Sequence, residues 1–484
     1  MWPHATDSEA GVSKRITWHG AVGGASVSAW AWSAVAPAVA ATGTLTLAPG
    51  RYDGEIFRLD QASAVNGVVA LDAGSGGTVL LGATTQVLGG AGAPVGGVVA
   101  VLGGGTLANQ GTISLVPASA LESTIVYQPT GKFHSLVGTE LIWTQSVAPT
   151  LDVSAAVFGN SGLVALAGGT LDFSGGMVRN TGSIRLADAT GQTPQQAADG
   201  MVSVVATTFA TRIEVAASVG SFSNSGTMSA DVIAFDGSVA LSRLGTLNGA
   251  LDFAGSLDLG GGTLAATAAS PVTIGGTVQH GALLAGDGLL ALQGATLAGV
   301  ALAGGTAEAS GTLRVLGLGG LSIHAGAVMN LGAGAVLTGG SGAALVNNGT
   351  IAAASGADVT LQAGLAGAGT MELGANAAVT VDSLALFAKP TFLFDPGASL
   401  LSLPGSGAGV TLADLHEGDV LDFSGVSSVP AKPGARGSAY EVGNSLHVIG
   451  ASGHSALVAL SAPSHGLTFA VGTDGHGGTL VTVG

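Results

Sequence analysis

A short phrase, Asn-x-Gly followed within a residue or two by apolar side chains, limits the folding options of this chain more than any other feature. It reads "NQGTISL" from Asn109, "NSGLVAL" from Asn160, "NTGSIRL" from Asn180, "NSGTMSA" from Asn224 and "NNGTIAA" from Asn347. Weaker copies, "GDGLLAL" and "GAGTMEL", start at Gly286 and Gly367. Successive offsets are 51, 20, 44, 62, 61 and 20 residues. A period of about 20 therefore organises the chain, with 44 read as two coils of about 22.

Within a period the pattern belongs to strands. "GTLDFSGG", "GTISLV" and "GTLVTV" alternate or run apolar for a few residues and then stop at glycine. Glycine supplies 83 of the 484 residues, where average usage predicts roughly 34. One glycine every few residues costs a helix interior about 1 kcal/mol each, so no helix of three turns is expected. Short strands, glycine corners and one circuit per period of about 20 residues define an all-β fold, a parallel β-helix or solenoid. Asparagine and glycine are then expected at the corners, where both tolerate left-handed backbone. An asparagine kept in phase can also hydrogen-bond the backbone or the asparagine of the next coil. The spacing of a leucine-rich repeat is absent, and separate hairpins would not hold a long-range phase.

Hydrophobic residues make up 47%, mostly Ala, Val and Leu, with only 9% charged, which disfavours disorder. A formal net charge of −16 excludes nucleic acid, whose binding needs clustered cations, and disfavours anionic glycans and lipids. There is no cysteine, hence neither a disulfide nor a thiolate metal site. No window offers about 18 glycine-poor apolar residues, so no membrane span is expected. The stretch after Lys14 and Arg15 is too broken by His19, glycines and serines for a signal peptide.

Along the chain, residues 1–43 read as a leader followed by an N-terminal cap, with Trp18, Trp30 and Trp32 covering the first strand edge. Residues 44–389 read as the solenoid, roughly 18 coils if winding is uninterrupted. The irregular offsets mark insertions at 116–150 and 187–218, about 11 and 4 residues beyond a whole coil, on one face where a ligand would bind. Residues 390–484 read as a small C-terminal β module of antiparallel strands that caps the stack.

Three features together resemble autotransporter passengers and filamentous-haemagglutinin-like β-helix proteins of bacterial surfaces. They are the W-x-G at Trp18 with later tryptophans and Ala-Pro, the Asn-x-Gly repeats, and the tail from Leu412. That tail, "LADLHEGDVLDFSG … GLTFAVGTDGHGGTLVTVG", is similar to a terminal module of glycine-rich β-repeat proteins in alphaproteobacteria. The resemblance implies a right-handed β-helix outside the cell, in an adhesive, matrix or fibre role.

Enzymatic chemistry finds no footing in the residues. Glycoside hydrolysis needs a pair of carboxylates flanking one bond, and Asp172, Asp252, Asp258 and Asp422 are the candidates. Three of these sit in one recurring phrase, "LDFSG" from Leu171, "LDFAG" from Leu251 and "LDFSG" from Leu421, which reads as structural turn or corner residues. The histidines lack a metalloprotease spacing, and His416, Glu417 and Asp419 read as a solvated turn rather than a metal site. Asp72 and Asp474 head isolated glycine-rich loops without the repeat that stacks calcium sites. The expected catalytic, cofactor-binding and metal sites are therefore none. The leading expectation is a non-enzymatic extracellular solenoid, self-associating into filaments or binding a cell-surface or glycan ligand. The alternatives are a polysaccharide-binding or polysaccharide-degrading β-helix using Trp143 and Phe133 of the insertions, and a trimeric phage fibre.

Overall fold

In the computed structural model, the strands between Ile16 and Val147 are described as backbone, with a few side chains around Asn109 also placed. Residues 150–484 are described except for 154–156, 197–201, 340–343, 406–408, 429–437, 452 and 465, and for the side chains of 191–205. The leader, Trp30, Trp32, Phe133 and His134 lie outside the described residues. The chain is a β-solenoid of about 12 turns with roughly 20 residues per coil. It forms two compact units, Met1–Val239 with Arg243–Ala250, and Ala240–Ser242 with Leu251–Gly484.

In the first unit each coil is built from three short strands. One full circuit is Val157–Asn160, Leu163–Ala167 and Gly169–Phe173. The next places Met177–Asn180 on Val157–Asn160 and Ser183–Ala187 on Leu163–Ala167, both parallel and in register. Alternate side chains point inward: Phe158, Val164, Leu166, Leu171 and Phe173 are buried while their neighbours are half-exposed. The interior takes phenylalanine as well as small aliphatics. Phe158 meets Phe173 with ring centroids 5.3 Å apart, and Phe222 meets Phe235 edge-on at 5.3 Å.

The two expected insertions are β-hairpins. Ala118–Thr130 pairs antiparallel with Ser135–Val147, and Ala189–Gln196 with Val202–Phe209. Both leave the coil between its second and third strands, and the flanking strands stay in register across them. The offsets of 51 and 44 therefore each span one coil plus a hairpin. The reading of 44 as two coils is corrected, as are the insertion lengths of about 11 and 4. Residues spent on these arms are one reason the chain winds fewer turns than an uninterrupted repeat would give.

In the second unit the parallel stacking runs without a hairpin. One row passes from Ser256–Asp258 through Thr277, Thr296, Thr312–Val315, Val336–Gly339 and Asp358–Leu361 to Ala378–Val381, Leu400–Leu403 and Val420–Phe423. The change to antiparallel pairing falls after Phe423, later than residue 390. Thr479–Val483 then pairs antiparallel with Val420–Phe423, and Ser455–Leu460 lies parallel on Thr411–Ala413. Ser445–Ile449 and Ser438–Glu441 follow antiparallel. At the other limit, Ile16–His19, which contains Trp18, pairs antiparallel with Ala41–Leu47. Antiparallel strands thus occupy the strand edges that terminal coils leave open.

Candidate functional site

The recurring asparagines point inward. Asn109, Asn160, Asn180 and Asn224 are buried, at 0%, 2%, 0% and 2% exposure. They stack as a ladder: Nδ2 of Asn109 donates to Oδ1 of Asn160, Asn160 to Asn180, and Asn180 to Asn224, each at 2.7 Å. The last Nδ2 donates to the carbonyl of Leu244 at 2.6 Å. At the first rung the Oδ1 of Asn109 has no partner, and its counterpart on the preceding strand is Leu81. Bonding to the next coil matches the sequence expectation, but left-handed backbone does not explain these asparagines. Among the described residues only His280, Asn376 and Asp414 combine a side chain with positive φ. The glycine two residues on is required by contact instead. A Cβ on Gly182 would lie 2.2 Å from the carbonyl oxygen of Gly162, and one on Gly226 would lie 1.9 Å from that of Gly182.

Beside the arms, on the third strand of the coil, carboxylates share one outward column. Asp152, Asp172 and Glu214 are in register on neighbouring strands, roughly 4.8 Å apart. Burial, reinforced by Asp152, Glu214 and Asp236, holds the Asp172 carboxyl above its ordinary range. Ser174 Oγ donates to Asp152 Oδ1 at 2.8 Å, and the Arg212 guanidinium pairs with Glu214. At the neck of the second arm, Thr211 N donates to Asp231 Oδ2 at 2.7 Å and Asp231 N to Thr211 Oγ1 at 2.8 Å. The bond from Thr211 N lowers the Asp231 carboxyl, while a hydrogen bond to Asp231 raises that of Asp188. The arms lie side by side, Ser135–Val147 against Ala189–Gln196. Gly168 makes room at the intervening coil, since a Cβ there would sit 2.8 Å from Phe209 Cβ.

The structure does not gather the four aspartates singled out from sequence into a site. Asp172, Asp252 and Asp422 are each the middle residue of an alternating strand whose Leu and Phe fill the core. They face outward from strands, so the expectation of turns or corners is corrected. Asp258 accepts from Gly260 N at 2.9 Å and lies 3.3 Å from the His280 ring. Burial raises Asp422, which accepts from Ser402 Oγ at 2.8 Å. Its Oδ1 has no partner. Asp474 caps its own loop through the N–H groups of His476 and Gly478 at 2.7 and 2.8 Å. Asp419, expected in a solvated turn, is fully buried. Its carboxylate accepts from Ser399 N at 2.9 Å and His416 N at 2.8 Å, although burial outweighs these bonds and raises its pKa. It ties the turn to the last strand, since Val483 N donates to the Asp419 carbonyl at 2.9 Å.

The arrangement can bind protons and cations weakly along the acidic column. A glycosidase places acid and base across one scissile bond, whereas these carboxylates stand in line on one face. Among the described residues no group of three or more His, Cys, Asp or Glu side chains is placed to hold a metal ion. No helix among them is long and apolar enough to cross a membrane. Sequence reading missed the acidic column because the hairpin makes the Asp172 to Glu214 interval 42 residues. No protein-family model and no curated protein matches the chain.

Proposed function

We propose that this chain is a non-enzymatic, extracellular structural and adhesive solenoid that displays its hairpin arms and its C-terminal module to other surfaces. One observation carries the reading. The chemistry-bearing side chains follow the stacking of the coils, as an inner asparagine ladder and an outer carboxylate column, instead of converging on a point. Such side chains specify register and surface; they do not assemble an acid, a base and a nucleophile around one bond. Filaments built by coil-on-coil stacking would have to displace Ile16–His19 or the strands after Phe423, so surface attachment is favoured over end-to-end growth.

The test is adhesion of purified full-length protein, immobilised on beads, to cells and extracellular matrix, run beside a panel of glycan, ester and peptide substrates. Retention without turnover is expected. Turnover of any substrate would refute the non-enzymatic part, and absence of retention on every surface would refute the adhesive part.

A further inference from the structure

One outward face of the second unit carries a column of threonines. Thr350, Thr370, Thr391 and Thr411 are direct partners on four successive strands. Their inward neighbours Ile351, Met371, Phe392 and Leu412 are 0–1% exposed, which fixes the hydroxyls on the outer surface. The C-terminal module prolongs this face. Thr411 pairs with Ala459, and Ala459 with Ser445. Leu412 and Leu460 are partners and both buried, so inside and outside are preserved across the junction.

Two residues back along the same outer surface the module carries Leu457, His447 and Tyr440, direct partners on three adjacent strands. Leu457 is 56% exposed and Tyr440 44%. The Tyr440 and His447 rings stack with centroids 5.3 Å apart and planes 8° from parallel. Large apolar side chains left in water on a flat sheet mark an interaction surface. The chain has net charge −16, yet Glu372 is the one carboxylate on the outward positions of the strands that carry this column and row.

We infer that this face binds a linear, neutral polysaccharide, with sugar faces on the Leu457–His447–Tyr440 row and sugar hydroxyls along the threonine column. The two halves suit the two sides of a sugar: aromatic and aliphatic surface for its C–H face, and hydroxyls that both donate and accept for its rim. Coils repeat every ~4.8 Å, so each successive sugar of an extended chain meets an equivalent hydroxyl. A polyanion is opposed by the net charge, and a polycation finds no carboxylate column on this face. The assignment rests on the adhesive reading and names the ligand class it would use.

The test is affinity electrophoresis of the full chain in gels containing a β-glucan, a galactomannan or dextran, with carboxymethyl-cellulose as the anionic counterpart. Retardation in at least one neutral gel is expected. The apparent Kd should rise at least about tenfold in Tyr440→Ala and Leu457→Ala. It should rise severalfold in Thr370→Val and stay unchanged in Leu386→Ala, a control at an exposed apolar loop. Tyr440 and Leu457 lie outside the core, and thermal melts verify that their variants fold. Retardation in no neutral gel would overturn the inference, as would retardation indifferent to Tyr440→Ala or strongest on carboxymethyl-cellulose. Concentration-dependent dimerisation weakened by Tyr440→Ala would assign the face to a second copy of the chain instead. A protein that still adheres to cells but ignores every neutral polymer would remove the glycan assignment alone; loss of both would remove the adhesive reading with it.

Discussion

Cutting the asparagine ladder in its middle should cost much more than trimming its end. Asn180→Ala removes the bond accepted from Asn160 and the bonds donated to Asn224 Oδ1 at 2.7 Å and to the Thr227 carbonyl at 3.2 Å. Net hydrogen-bond contributions near 1 kcal/mol each, with some desolvation penalty for the deserted partners, give about 3–4 kcal/mol. The penalty stops short of its maximum because Asn160 Nδ2 keeps the Ser183 carbonyl and Asn224 Oδ1 keeps Gly226 N. Asn109→Ala deletes one bond to Asn160 and one to the Leu163 carbonyl and also removes an acceptor that is already unsatisfied, for about 1–2 kcal/mol. Urea unfolding followed by far-UV dichroism, with amide exchange at residues 160–230 to localise the change, measures both. Leu81→Asn provides the converse: its Nδ2 would satisfy Asn109 Oδ1, and about 1 kcal/mol of stabilisation is expected. Equal costs for Asn180→Ala and Asn109→Ala, or a cost below about 1 kcal/mol for the former, would refute the ladder as an energetic unit.

Three further outcomes are expected. Asp172 has a folded-state pKa above its reference of 3.8, so its stabilising contribution is complete below that reference and disappears as pH rises through the folded value. Asp172→Asn should therefore raise Tm at pH 7, by no more than about 1 kcal/mol equivalent, and leave it unchanged near the reference pKa; a loss of stability at pH 7 would contradict this. Gly226→Ala should destabilise by 1–3 kcal/mol or more in urea titrations, because its Cβ would force neighbouring coils apart; a neutral result would mean the stack tolerates a wider local spacing. His280 holds φ 56° where the next coil has Gly299 at φ 65°, so His280→Gly should gain about 1 kcal/mol. Its exposed contact with Asp258 offsets little of that, and a lower Tm would show that the contact outweighs backbone strain.

The sequence revealed what depends on periodicity and concealed what depends on register. Asn160 and Asn180 are 20 residues apart, and that alone is enough to place one above the other. Asn180 and Asn224 occupy the same relation, yet their 44-residue separation resembles two long coils because the hairpin Ala189–Phe209 hides inside it. The same arm separates Asp172 from Glu214, so a column that is plain on the folded surface leaves no repeating trace in the chain. Composition was also ambiguous about glycine. Gly182 and Gly226 stand beside asparagine as a turn would require, but their need is for closeness to the coil below, a demand that only stacked neighbours create.

That distinction bears on how the chain accommodates its arms. A hairpin inserted into a strand would shift the register of everything after it, and a one-residue slip would turn the core outward. Here both hairpins leave between strands. Flanking pairs such as Leu115 with Leu166 and Val101 with Val153 remain partners on either side of the first arm. The ladder reinforces this at the opposite end of the circuit, since each asparagine bonds only the coil directly above or below it. An arm can therefore vary in length and sequence while the ladder and the Leu and Phe layers keep the phase. Recognition can then change in the arms and on the outer columns without disturbing the interior that holds them in place.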